Sequence, residues 1–76
     1  MDDLSRITHN PEVMQGKACI RGMRVTVGMV IGLMGSGVSI EEVLAAYPYL
    51  EREDILQALR YAALSTQSSE LIPTVA

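Results

Sequence analysis

Between Gly37 and Leu64 apolar positions recur at helical spacing in two short runs. Ile40, Val43, Leu44 and Tyr47 stand at i, i+3, i+4 and i+7, one stripe of a helix. Ser39-Ile40-Glu41-Glu42 opens this run as a capping box, the Ser39 hydroxyl accepting from the Glu42 amide while the Glu42 side chain reaches back. Pro48 closes it, because proline disfavours the helical region for Tyr47 and supplies no amide. A second run starts at Arg52. Ile55, Leu56, Leu59, Ala62 and Ala63 are expected to face inward, with Glu53, Gln57 and Arg60 as the wet stripe. Two helices joined by about four residues predict a helix-turn-helix.

Upstream, Thr26 is the expected N-cap of a helix from Val27 to Ser36 that stops at Gly37. Val27, Met29, Val30, Ile31, Leu33 and Met34 leave it almost no polar side. Such a helix belongs inside a core, or at an interface. Met29, Val30, Leu33 and Met34 are the candidate interface residues, and Gly28 and Gly32 would let another backbone come close. Before this helix, Lys17 to Val27 reads as a β-hairpin, in which Gly22 supplies the positive φ of a tight turn. Lys17, Arg21 and Arg24 sit on it, as phosphate-contacting residues or as an ordinary solvated turn. Cys19 is expected to act as a small hydrophobe.

The first residues add little regular structure. A short extended piece is expected at Arg6-Ile7-Thr8, a turn at Asn10-Pro11, one helical turn at Glu12-Val13-Met14 and a break at Gln15-Gly16. His9, beside that turn, reads as a hydrogen-bonding surface residue rather than a base or a ligand. After Leu64 the helical pattern fails. One domain is therefore expected over residues 1–64, followed by a flexible C-terminal tail, 65–76, whose alternative role is strand addition to a partner's sheet edge.

Length and charge sharpen the picture. A chain of 76 residues is a marginal domain, because at that size only about 60% of the unfolded surface is buried. One cysteine cannot make an internal disulfide, and no Cys/His spacing suggests zinc. Oligomerisation or a partner is the expected reinforcement. The net charge of -3 is unevenly divided. Arg6, Lys17, Arg21 and Arg24 outweigh Asp2, Asp3 and Glu12, whereas beyond residue 37 only Arg52 and Arg60 face six carboxylates. A polyanion should approach the first half and avoid the second. The acidic start and the absence of a long apolar run predict a cytoplasmic protein with no membrane span.

The stretch from Gly16 through Ala18, Cys19, Arg21, Gly22 and Arg24 to Val25, with Gly37-Val38-Ser39-Ile40-Glu41-Glu42 and Tyr47-Pro48-Tyr49-Leu50, resembles the bacterial domain-of-unknown-function family 433. The resemblance runs from about Arg6 to Leu64 and departs from the family pattern at Ala18 (commonly Pro), Met23 (commonly Thr) and Glu51 (often Thr or Ser). It implies a mainly α, small homeodomain-like helix-turn-helix domain with a short N-terminal β-hairpin. It also implies an antitoxin-like role, since many members look like antitoxins encoded beside a PIN-like nuclease toxin.

No catalytic constellation, metal set or phosphate-cradling loop is placed by motif, so neither enzyme activity nor a cofactor or small-molecule substrate is expected. The expected function is that of a homodimeric antitoxin-like protein that binds and neutralises a PIN-like toxin. DNA autoregulation would be weak, strongly salt-dependent and carried by Lys17, Arg21 and Arg24. A transcriptional regulator without a toxin, or a purely structural dimerisation module, is the alternative.

Overall fold

The computed structural model describes residues 3–67, in the order β1 (Ile7–Thr8), β2 (Cys19–Ile20), α1 (Val27–Gly35), α2 (Ile40–Ala46) and α3 (Arg52–Gln67). The fold is mainly α, three helices with a short two-stranded antiparallel sheet at the N-terminal end. No helix among the described residues is long and apolar enough to cross a membrane.

β1 pairs with β2, Ile7 opposite Ile20 and Thr8 opposite Cys19. The expected return strand is reduced to a single bridge between Cys19 and Thr26, flanked by hydrogen bonds from the Ile20 amide to the Val25 carbonyl and from the Val27 amide to the Ala18 carbonyl. Pairing with β1 is added to the hairpin, and β2 lies in the middle. The tight turn is where Gly22 predicts it. Arg21 and Gly22 take φ of 47° and 73°, and the Met23 amide closes onto the Ile20 carbonyl at 2.8 Å. Positive φ at both central residues gives a tight turn within a four-residue connection, residues 21–24, before Val25 rejoins Ile20.

Each helix end has a local cause. The Thr26 hydroxyl accepts from the Met29 amide at 3.0 Å and starts α1. Gly37, at φ 96°, ends it, with its amide bonded to the Met34 carbonyl and the Val38 amide to the Leu33 carbonyl. This is a Schellman stop. The capping box of α2 forms in both directions, Glu42 amide to Ser39 hydroxyl at 3.1 Å and Ser39 amide to Glu42 carboxylate at 2.8 Å.

Ile20, Val25, Val27, Val30, Val43, Leu50, Ile55 and Ala58 form the core, with one contribution or more from β2, the hairpin return and all three helices. Burying a residue such as Ile55 stabilises by about 1.5–3 kcal/mol, so these few side chains hold the domain.

Five expectations are corrected. Helix α3 continues through Ser65 and Thr66 to Gln67, so the helical domain ends later than Leu64. Expectations about the tail beyond residue 67 lie outside the described residues. Leu56 and Ala63, expected inward, lie on the outward face, half-buried and exposed respectively, while Gln57, expected wet, is 1% exposed. The helical turn expected at Glu12-Val13-Met14 forms instead at Met14–Gly16 with φ of 49°, 60° and 81°, so it is left-handed.

Candidate functional site

Among the described residues the most heavily bonded side chain is Asp54, in the first turn of α3 and 0% exposed. Its Oδ1 accepts from Arg6 Nη1 and from Arg21 Nε, both at 3.0 Å. Its Oδ2 accepts from Arg21 Nη2 and from the Glu51 amide, both at 2.8 Å. Arg21 therefore grips the carboxylate in two-pronged fashion, while its Nη2 also donates to the Tyr49 carbonyl at 2.9 Å. Arg6 reaches on to the Glu51 carboxylate, so two arginines and two carboxylates form one neutral group. Burial pushes the Asp54 carboxyl up, but the Arg21 hydrogen bond, the Glu51 amide and Arg6 together hold it below the ordinary range. Arg6 and Arg21 are raised in turn, Arg6 chiefly by its bond to Glu51 and Arg21 by its bond to Asp54.

This cluster ties the N-terminal segment down along α3. The Arg6 amide, in the turn that leads into β1, donates to Gln57 Oε1 at 2.7 Å. Gln57 Nε2 donates to Glu53, which also accepts from Arg60, and Arg60 Nη1 donates to the Asp3 carbonyl. Farther along, His9 Nε2 meets the Tyr61 hydroxyl at 3.1 Å with His9 exposed, the surface role expected of it. Positions 54, 57 and 61 share one helix face, and the strap lies along it.

A helix-turn-helix that reads bases does so with the N-terminal part of its second helix. Here that part is turned inward or neutralised. Asp54 and Gln57 face β1 and the hairpin turn, Glu53 pairs with Arg60, and Arg52 pairs with Glu41 at 3.2 Å. Residues advance by about 100° around a helix, so the face left outward carries Arg52, half-buried Leu56 and Ala63.

The three candidate cations are thus divided. Arg21 is committed to Asp54 and is not a free phosphate contact. Lys17 and Arg24 are exposed, have no carboxylate partner among the described residues, and line one open depression of about 430 Å³ with Pro11, Glu12, Met14 and Gln15. Of the candidate interface residues, Val30 is sealed in the chain's own core at 0% exposure and offers a partner nothing. Met29, Leu33 and Met34 are half-buried around the core. A second, more apolar depression of about 650 Å³ runs between α1 and α3, lined by Val27, Gly28, Ile31, Tyr61 and Ala62 among others.

Sequence reasoning missed Asp54. Its only local signal is the spacing Glu51-Arg52-Glu53-Asp54, which puts an acid three residues after the residue preceding the helix, within reach of that residue's amide.

Comparison with known proteins agrees with this architecture. An uncharacterised protein, y4eO, of Sinorhizobium fredii is 36% identical over 66 residues, which cover 82% of this chain and 30% of that protein. A crystal structure of a DUF433 member from Anabaena variabilis superposes with a TM-score of 0.77 at 32% identity, covering 83% of this chain and 62% of that one. The chain thus spans less than two thirds of the length of either. The pattern of the family described as "Protein of unknown function (DUF433)" matches residues 7–62, and the chain belongs to that family.

Proposed function

We propose that the protein is an antitoxin-like, cytoplasmic interaction module whose main partner is a protein, a PIN-like nuclease toxin, and that it works as a homodimer. The observation that carries the protein-binding reading is the disposition of α3. Its Asp54 and Gln57 are spent inside the fold, and its outward face presents Arg52, Leu56 and Ala63. Four of the six basic side chains, Arg6, Arg21, Arg52 and Arg60, are ion-paired within the chain. Such a surface is poorly equipped for a polyanion, whose binding depends on many phosphate contacts. An acidic module suits a basic nuclease cleft. The half-buried Met29, Leu33 and Met34 supply an adaptable apolar margin. The class of partner comes from the family resemblance.

The test is co-expression with the product of the neighbouring open reading frame. Co-purification of a PIN-like protein whose RNase activity is suppressed in the complex is the expected result. A neighbour of another class, or a PIN-like neighbour that neither binds nor is inhibited, would sink the reading. A second reading, DNA autoregulation, is favoured by Lys17 and Arg24, the two exposed cations without a carboxylate partner among the described residues.

A further inference from the structure

We propose that the depression between the left-handed turn and the hairpin return binds a phosphate group, held by Lys17 and Arg24 with Gln15 as a neutral donor. The inference deepens the DNA-contact reading by naming the group recognised and the residues that hold it.

Charge is the first argument. Arg6, Arg21, Arg52 and Arg60 each have a carboxylate partner, whereas Lys17 and Arg24 line the same depression with none among the described residues. Arg24 Nη1 rests 3.9 Å from the Met14 sulfur, a weak and neutral acceptor. A planar guanidinium beside a compact ammonium is a pair suited to a phosphate, the one offering a fork of donors and the other a point charge.

Backbone conformation is the second. Met14 and Gln15 hold φ of 49° and 60°, a region that side chains with a Cβ rarely adopt. The Gly16 amide bonds to the Val13 carbonyl and the Lys17 amide to the Met14 carbonyl, and this left-handed turn forms one wall of the depression. Strain of this kind persists where the surroundings impose it, and it gathers at binding sites. Space is the third: about 430 Å³, open to solvent, accommodates a phosphate that is free or part of a nucleic-acid backbone. Glu12 also lines the depression and opposes an anion, so it limits affinity.

The experiment is an amide NMR titration of the full chain with sodium phosphate, against sodium chloride of matched ionic strength. A second arm uses a 12-base-pair duplex. Saturable shifts centred on Gln15, Gly16, Lys17 and Arg24 are expected. Lys17→Gln and Arg24→Gln, both exposed and so compatible with an unchanged circular dichroism spectrum, should each weaken binding by about tenfold. Glu12→Gln should tighten it. The duplex moving the same signals at lower phosphate concentration identifies a nucleic-acid backbone as the source. Inorganic phosphate alone moving them identifies a free phosphate. No saturable shift in either arm, or shifts that survive the double substitution, would overturn the proposal. Inorganic phosphate reads this site directly, so loss of sequence-specific DNA binding, or of a toxin partner, leaves its result unaffected.

Discussion

Arg21 and Asp54, 33 positions apart, meet through two parallel hydrogen bonds, Nε to Oδ1 at 3.0 Å and Nη2 to Oδ2 at 2.8 Å. The arginine belongs to the hairpin turn and the aspartate to the first turn of α3, so this pair locks the small sheet onto the helical part of the fold. Arg21 reaches its partner from φ 47°, a left-handed backbone that only a firmly held turn maintains. The Arg21 amide is anchored to the Arg6 carbonyl at 2.7 Å, and the Gly22 amide to the Thr8 hydroxyl at 2.9 Å.

Asp54→Asn should destabilise the domain by about 1.5–3 kcal/mol, because the buried acceptor loses its charge-assisted hydrogen bonds to two partly exposed arginines. In a domain this small that loss is a large fraction of the folding free energy. Urea unfolding followed by circular dichroism measures it. A midpoint unchanged from wild type would show that the cluster contributes nothing to stability.

Acid should unfold the protein through the same group. The Asp54 carboxyl is held below its ordinary value of 3.8, so the unfolded chain binds the proton more readily than the folded one. The stabilisation is fully present above the unfolded value and is lost as pH falls through 3.8 toward the folded value. Glu41, lowered chiefly by its own amide and then by Arg52, acts in the same direction from the surface. Urea midpoints should be flat from pH 7 to 5 and fall steeply below pH 4. A midpoint that rose on acidification would contradict this.

Ser39→Ala removes half of the capping box of α2 and should cost about 1 kcal/mol. Gln15→Gly, by contrast, should raise stability by up to about 1 kcal/mol, since glycine takes the left-handed region without steric cost. Thermal melts of the two variants should shift in opposite directions. Gln15→Gly also removes the neutral donor of the proposed phosphate site, so it should weaken phosphate binding while it stabilises the fold.

On α1, neighbouring substitutions should separate stability from partner binding. Val30→Ala empties a fully buried position and should destabilise by roughly 1–3 kcal/mol. Met34→Ser, at a half-buried position, should shift the melt far less and weaken complex formation more. Calorimetry with pull-down of the toxin candidate checks both. Equal effects of the two substitutions on melting and on binding would remove α1 from the interface.

Arg21→Ala is expected to lower stability and leave phosphate binding in the folded fraction unchanged, because its guanidinium already serves Asp54. Retained fold with lost binding would return Arg21 to the phosphate-contacting set.

By itself the sequence determined where α1 and α2 start and stop and where α3 starts. Ser39 with Glu42, Thr26, Gly37 and Pro48 act on amides and carbonyls within a few positions of themselves, so their effect is written in local order. The turn at Arg21-Gly22 and the apolar stripe of α2 were legible for the same reason. Only the tertiary structure decided which polar residues are inside. Gln57 has the composition of a wet stripe, yet the turn leading into β1 brings the Arg6 amide to it from 51 positions away. Asp54 has an ordinary helix-start setting until Arg6 and Arg21 converge on it. Likewise Arg21 is withdrawn from the basic hairpin while Lys17 and Arg24 are left outside. A buried charge is tolerated only where partners distant in sequence surround it, and that meeting is a property of packing, which periodicity along the chain does not encode.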